Sequence, residues 1–150
     1  MLLSAGKGWG QSRSIAALET AYTEDFNTLT SGDWTNGVTV TGWYARTDAT
    51  ASITTYGANT GTTTAAGLYA FGVEGTNPLT DRALGYSTSN AFFGAAGTGK
   101  AYLGWRLKNN TGETISSITV VWTGEQWRKE NNAAAHSLHL FYQVGETMDD

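Results

Sequence analysis

Lys100-Ala101-Tyr102-Leu103-Gly104-Trp105-Arg106-Leu107-Lys108, the turn Asn109-Asn110-Thr111-Gly112, and then Thr114-Ile115-Ser116-Ser117-Ile118-Thr119-Val120-Val121-Trp122-Thr123-Gly124 decide the fold class of this 150-residue chain. Leu103, Trp105 and Leu107 alternate with Gly104, Arg106 and Lys108. Ile118, Val120 and Trp122 alternate with Thr119, Val121 and Thr123. A period of two places one set on a face that can be buried and the other on the opposite face, which is the signature of a half-buried strand. The Asn- and Gly-containing stretch between them is turn chemistry, so the pair reads as a hairpin. Ser137 to Val144 repeats the pattern, with Leu138, Leu140, Tyr142 and Val144 set against His139, Phe141 and Gln143.

Working outward, short runs of β-forming and aromatic residues alternate with Gly, Asn, Asp, Ser and Thr clusters. The further candidate strands are Thr23 to Leu29, Val38 to Arg46, Ala51 to Tyr56, Gly67 to Val73 and Arg82 to Ser87. Asn36-Gly37 suits the two positive-φ positions of a type I′ hairpin turn. A turn or two of helix is expected at Ile15 to Tyr22. The expected fold is all-β: an antiparallel β-sandwich, jelly-roll-like, of about eight strands, in which two sheets bury their apolar stripes against each other. Residues 1–14 read as a tail and 15–150 as one domain. The stop six residues after Val144 points to a missing C-terminal strand.

Composition narrows the function classes. Nineteen glycines, six tryptophans, seven tyrosines and only 15% charged residues describe a chain apolar and weakly charged enough to fold. Nine basic against thirteen acidic residues, with no Lys/Arg cluster, argue against a nucleic-acid backbone binder. No apolar run approaches the roughly 20 residues of a membrane-spanning helix. The absence of cysteine removes disulfides, thiolate metal sites and cysteine nucleophiles. The first residues lack the apolar stretch of a secretory signal, so the signal has been removed or the chain is part of a longer reading frame.

Several motifs carry less than they promise. Gly94-Ala95-Ala96-Gly97-Thr98-Gly99-Lys100 matches G-x-x-x-x-G-K, but Ala101 replaces the Ser or Thr that would reach magnesium, and a strand pattern follows where a helix is needed. His136 and His139 share a face only on a helix, and no carboxylate accompanies them, so no metal site or cofactor is expected. There is no G-x-S-x-G elbow. Glu24, Asp25 and Glu125 are the candidate carboxylates for a glycoside hydrolase or lyase, whose pairing would be spatial. Asn109-Asn110-Thr111 has the pattern of a glycosylation sequon.

The scarce charges gather beside aromatics, in Asp81-Arg82 and in Glu125-Gln126-Trp127-Arg128. Asp81, Arg82, Glu125 and Arg128 are expected to form a structural ion-pair network between strands, with a polar ligand site as the alternative. Trp105 and Trp122 lie on the apolar stripes and are expected in the core. Trp34, Trp43, Tyr44 and Trp127 are the candidate ligand-binding residues, because a flat ring can stack on the C–H face of a sugar while polar neighbours bind its hydroxyls. The alternative for Trp34 and Trp43 is that they plug the ends of a sandwich.

Asp25-Phe26 with Leu29, Gly42-Trp43-Tyr44, Gly67-Leu68-Tyr69-Ala70-Phe71-Gly72, Asp81-Arg82-Ala83-Leu84-Gly85, Asn109-Asn110-Thr111-Gly112 and Thr123-Gly124-Glu125-Gln126-Trp127-Arg128 follow one another in an order that resembles a group of bacterial β-sandwich modules. Such modules occur in large secreted or surface proteins, often beside immunoglobulin-like repeats, nuclease or phosphatase domains, or C-terminal sorting signals. The resemblance spans roughly Tyr22 to Val144. It implies an extracellular or cell-surface setting, neighbouring domains in a longer chain and no catalytic residue. The expected function is a non-catalytic binding or adhesion module, most readily for a polysaccharide. A structural spacer and a polysaccharide lyase or hydrolase stand as alternatives.

Overall fold

The computed structural model describes residues 11–72, 81–95, 98–129 and 137–145. Among the described residues the regular structure is strand apart from one short helix, so the chain is all-β. The strands are β1 (Arg13–Ile15), β2 (Gly32–Asp33), β3 (Trp43–Thr47), β4 (Thr55–Asn59), β5 (Gly67–Gly72), β6 (Arg82–Ser87), β7 (Ala101–Trp105) and β8 (Leu107–Asn109), with helix α1 (Asn90–Phe93) between β6 and β7. No helix among the described residues is long and apolar enough to cross a membrane.

The largest sheet has four strands in the order β2-β4-β5-β6. Within it β5 and β6 are antiparallel from Gly67↔Ser87 to Gly72↔Arg82, whereas β4 and β5 are parallel from Tyr56↔Leu68 to Asn59↔Phe71. Two smaller ribbons pair β3 with β7 antiparallel and β1 with β8 parallel. The sheets are open, and the two parallel pairs depart from the antiparallel arrangement expected.

Alternation in β4, β5 and β6 sends Tyr56, Leu68, Ala70, Leu84 and Tyr86 to one face. There Leu68 and Ala70 join Leu29, Trp34, Val40, Ala45 and Ile53 in a single core. Ala45 comes from β3, so the four-stranded sheet and the β3–β7 ribbon share that core. Asn36 ties the entry to β3. Its Oδ1 accepts from Trp34 Nε1 at 2.8 Å and from the Ala45 amide at 2.8 Å. Only Gly37 of the Asn36-Gly37 pair takes a positive φ, so the turn is not type I′.

Several expected elements differ, each for a local reason. Arg13 and Ser14, read as tail, belong to β1, and Ile15 to Tyr22 forms no helix, the Tyr22 hydroxyl accepting from the Ala16 amide instead. Thr23 to Leu29 is not a strand. The Glu24 and Asp25 carboxylates accept from the Phe26 and Asn27 amides, which is turn geometry, and Phe26 takes a positive φ. The expected strand at Val38 begins only at Trp43, because Val38 and Thr39 both donate to the Thr35 carbonyl. Thr114 to Gly124 and Ser137 to Val144 carry the alternation but, among the described residues, make no strand pairing. Alternation encodes the face a strand would bury, and the partner edge is a separate requirement. Trp122 is accordingly 54% exposed, whereas Trp105 is half-buried and stacks on Trp43 at 5.7 Å.

Ala101, after the lysine of the Gly-rich loop, opens a strand as expected. Asp48 fixes that start by accepting from the Lys100 amide and the Tyr102 hydroxyl, both at 3.0 Å. That hydrogen bond is the main reason the exposed Tyr102 hydroxyl titrates above its usual range.

Tyr86 gives an alkaline signature. Its hydroxyl donates to the Tyr102 carbonyl at 2.9 Å, with the Arg46 carbonyl at 3.3 Å, and burial raises its pKa well above the ordinary 10. The unfolded chain then releases this proton near pH 10 while the folded chain keeps it. Stability is complete below pH 10 and falls as pH rises toward the folded value, by up to about 1.4 kcal/mol per pH unit. Urea titrations between pH 8 and 11 should show this decline, and Tyr86→Phe should flatten it. An equal alkaline decline in the variant would assign it to other groups.

Candidate functional site

The second face of the four-stranded sheet carries Gly57 and Asn59 of β4, Tyr69 and Phe71 of β5, and Ala83 and Gly85 of β6. Tyr69 stands opposite Gly57 on one neighbour and Gly85 on the other, so no side chain flanks its ring. The ring lies down in that space: a methyl group on Gly57 would come within 2.8 Å of it. Phe71 leans over Gly85 in the same way, 3.3 Å from where a methyl would sit. The two rings are 5.6 Å apart.

Trp127 completes the row. Its ring lies nearly parallel to Phe71, 16° between planes and 6.3 Å between centroids, and Phe71 is buried beneath it. The indole Nε1 donates to Glu125 Oε2 at 2.8 Å, which fixes the ring's orientation. Arg128 Nη1 donates to the Thr62 and Thr63 carbonyls at 2.9 and 2.7 Å.

Those carbonyls belong to residues 60–66, the connection between the parallel strands β4 and β5. These seven residues carry the chain from the end of β4 back to the start of β5. Asn59 turns it sharply. Buried at 1% exposure, its Oδ1 accepts from the amides of Gly61 and Thr62 at 2.8 and 3.0 Å and of Thr63 at 3.4 Å. The Gly-Glu-Gln-Trp-Arg string therefore covers one aromatic ring and clamps the crossover.

Beside Tyr69, at the starts of β4 and β5, a cleft of about 430 Å³ opens. Its lining includes Thr50, Ser52, Thr54, Thr55, Tyr56 and Tyr69.

Apart from Glu125 and Trp127, which it joins, the structure sets the residues singled out from sequence in separate places. Trp34 is 3% exposed, in the core, with its ring edge-on to Tyr56. Trp43 packs between Phe26 and Trp105 against the same core, and the Tyr44 hydroxyl donates to the Gln11 carbonyl. Trp127 lies across the sheet from them. Arg82 is buried, its Nη1 donating to the Ala70 carbonyl and its amide to Asn27 Oδ1, while Asp81 is exposed. Among the described residues no three His, Asp or Glu side chains cluster as a metal would require. His139 is exposed, and His136 lies outside the described residues.

Tyr69, Phe71 and the cleft hydroxyls were not singled out. Their signal was Gly67-Leu68-Tyr69-Ala70-Phe71-Gly72, with large rings on one parity, and the glycines at 57 and 85 that give them room. No family model, no curated protein and no solved structure matches the chain.

Proposed function

We propose that this chain is a non-catalytic binding or adhesion module of a secreted or cell-surface bacterial protein, that its ligand is a polysaccharide, and that it works beside other domains of a longer chain as a jelly-roll-like sandwich. Tyr69 and Trp127, the two half-buried rings that pack against the buried Phe71, carry this reading. Flat rings supported from below by a sheet, with Glu125 and threonine groups at their border, suit the C–H faces and hydroxyls of a sugar. The proposed setting rests on the resemblance of the Asp-Arg-Ala-Leu-Gly and Gly-Glu-Gln-Trp-Arg strings to those of surface modules.

Affinity electrophoresis through gels containing plant and algal polysaccharides tests it. The wild type should be retarded by at least one polymer. At about 1 kcal/mol per aromatic contact, Trp127→Ala and Tyr69→Ala should each weaken retention roughly fivefold, and Trp127→Phe should weaken it less. Free migration of the wild type through every gel, or unchanged retention in both alanine variants, would overturn the proposal.

A further inference from the structure

We propose that the cleft at the starts of β4 and β5 is a binding subsite for an uncharged polyhydroxy ligand, a neutral sugar unit of the polymer that stacks on the aromatic row. This rests on the carbohydrate reading and specifies which carbohydrates.

The lining makes the case. Thr50, Ser52, Thr54, Thr55 and Tyr56 are five hydroxyl-bearing residues in the lining of a cleft of about 430 Å³, a volume within the range of small-molecule sites. Among the described residues these hydroxyls have no hydrogen-bond partner in the protein. By contrast the hydroxyls of Thr39, Thr47, Tyr44, Tyr69, Tyr86 and Tyr102 each donate to a carbonyl or carboxylate. The cleft hydroxyls are therefore satisfied by water and free to exchange it for a ligand.

Ligand class follows from what would be left unpaired. An apolar ligand would cover these hydroxyls without satisfying them, at the cost of their desolvation. A sugar both donates and accepts, and matches them group for group. A uronate would bring a carboxylate into a lining that has no Lys, Arg or His, on a chain whose net charge is already −4. Tyr56 and Phe92 supply apolar surface, and Tyr69 belongs to both the cleft and the row, so one chain of sugar units can reach both.

The test compares gels of neutral polymers (xyloglucan, galactomannan, hydroxyethylcellulose) with gels of uronate-rich polymers (alginate, polygalacturonate), in low and high salt. Retention by a neutral polymer, insensitive to salt, is expected. Ala66→Leu, which fills the cleft from its wall, should weaken it about tenfold, and the near-isosteric pair Thr54→Val and Thr55→Val should do so to a similar extent without adding volume. Retention confined to uronate polymers and abolished by salt would overturn the subsite. So would neutral retention that falls in Trp127→Ala but not in either cleft variant, which leaves the polysaccharide reading standing. No retention of the wild type on any polymer would remove both.

Discussion

Asn59→Ala is expected to lower stability by about 2–3 kcal/mol and the melting temperature by roughly 5–10 °C. The Asn59 carboxamide is the hinge of the parallel crossover: one buried oxygen takes three successive backbone amides, so its removal strands donors in a segment that Trp127 and Arg128 cover from outside. Two of the three bonds are short enough to count fully, at roughly 1 kcal/mol each, and the amide at 3.4 Å adds less. Asn59→Asp separates acceptor from volume. A carboxylate keeps all three acceptor contacts, strengthens them by charge, and removes the Nδ2 group that is buried without a partner in the wild type. At neutral pH it should retain more stability than the alanine variant. Chemical denaturation gives both values, and an alanine variant within 0.5 kcal/mol of wild type would show that the crossover holds without its hinge.

How legible all this was depends on the range of the interaction. β6 coincides with the strand read from Arg82-Ala83-Leu84-Gly85-Tyr86-Ser87, and β5 and β7 lie within their expected spans, because alternation and flanking breakers are local signals. Trp34 beside a turn looked exposable. It is buried because Asn36, two residues on, accepts its indole N–H and so removes the cost of taking that group out of water. The parallel pairing of β4 with β5 was illegible, since it depends on a side chain folding the connection back rather than on any periodicity. The Thr114–Gly124 and Ser137–Val144 segments show the converse. Their pattern is strong, yet among the described residues neither segment is paired as a strand, and Tyr142 is 93% exposed. Trp127 could be picked out by composition, but its partner Phe71 and the glycines that make room for the row lie far away in sequence.

Gly61→Ala should cost about 3 kcal/mol and uncover the aromatic row. Two effects add at this position. Gly61 has φ +89°, where a side chain costs roughly 1–2 kcal/mol, and its Cβ would run into the carbonyl of Trp127. The clash is with backbone, so it cannot be relieved by a rotamer change; the crossover and the Gly-Glu-Gln-Trp-Arg segment must move apart. Phe71 then loses its cover, and tryptophan emission should shift to the red. Polysaccharide retention should fall as in Trp127→Ala, although no residue of the row has been altered. Gly112→Ala is the matched control, because Gly112 has φ +82° but nothing within 4 Å of the added methyl. It should lose only the backbone strain, about 1 kcal/mol, and leave emission and retention unchanged. Equal losses in the two variants would mean that Trp127 is not seated on Gly61, and the row would have to be held together by Tyr69 and Phe71 alone.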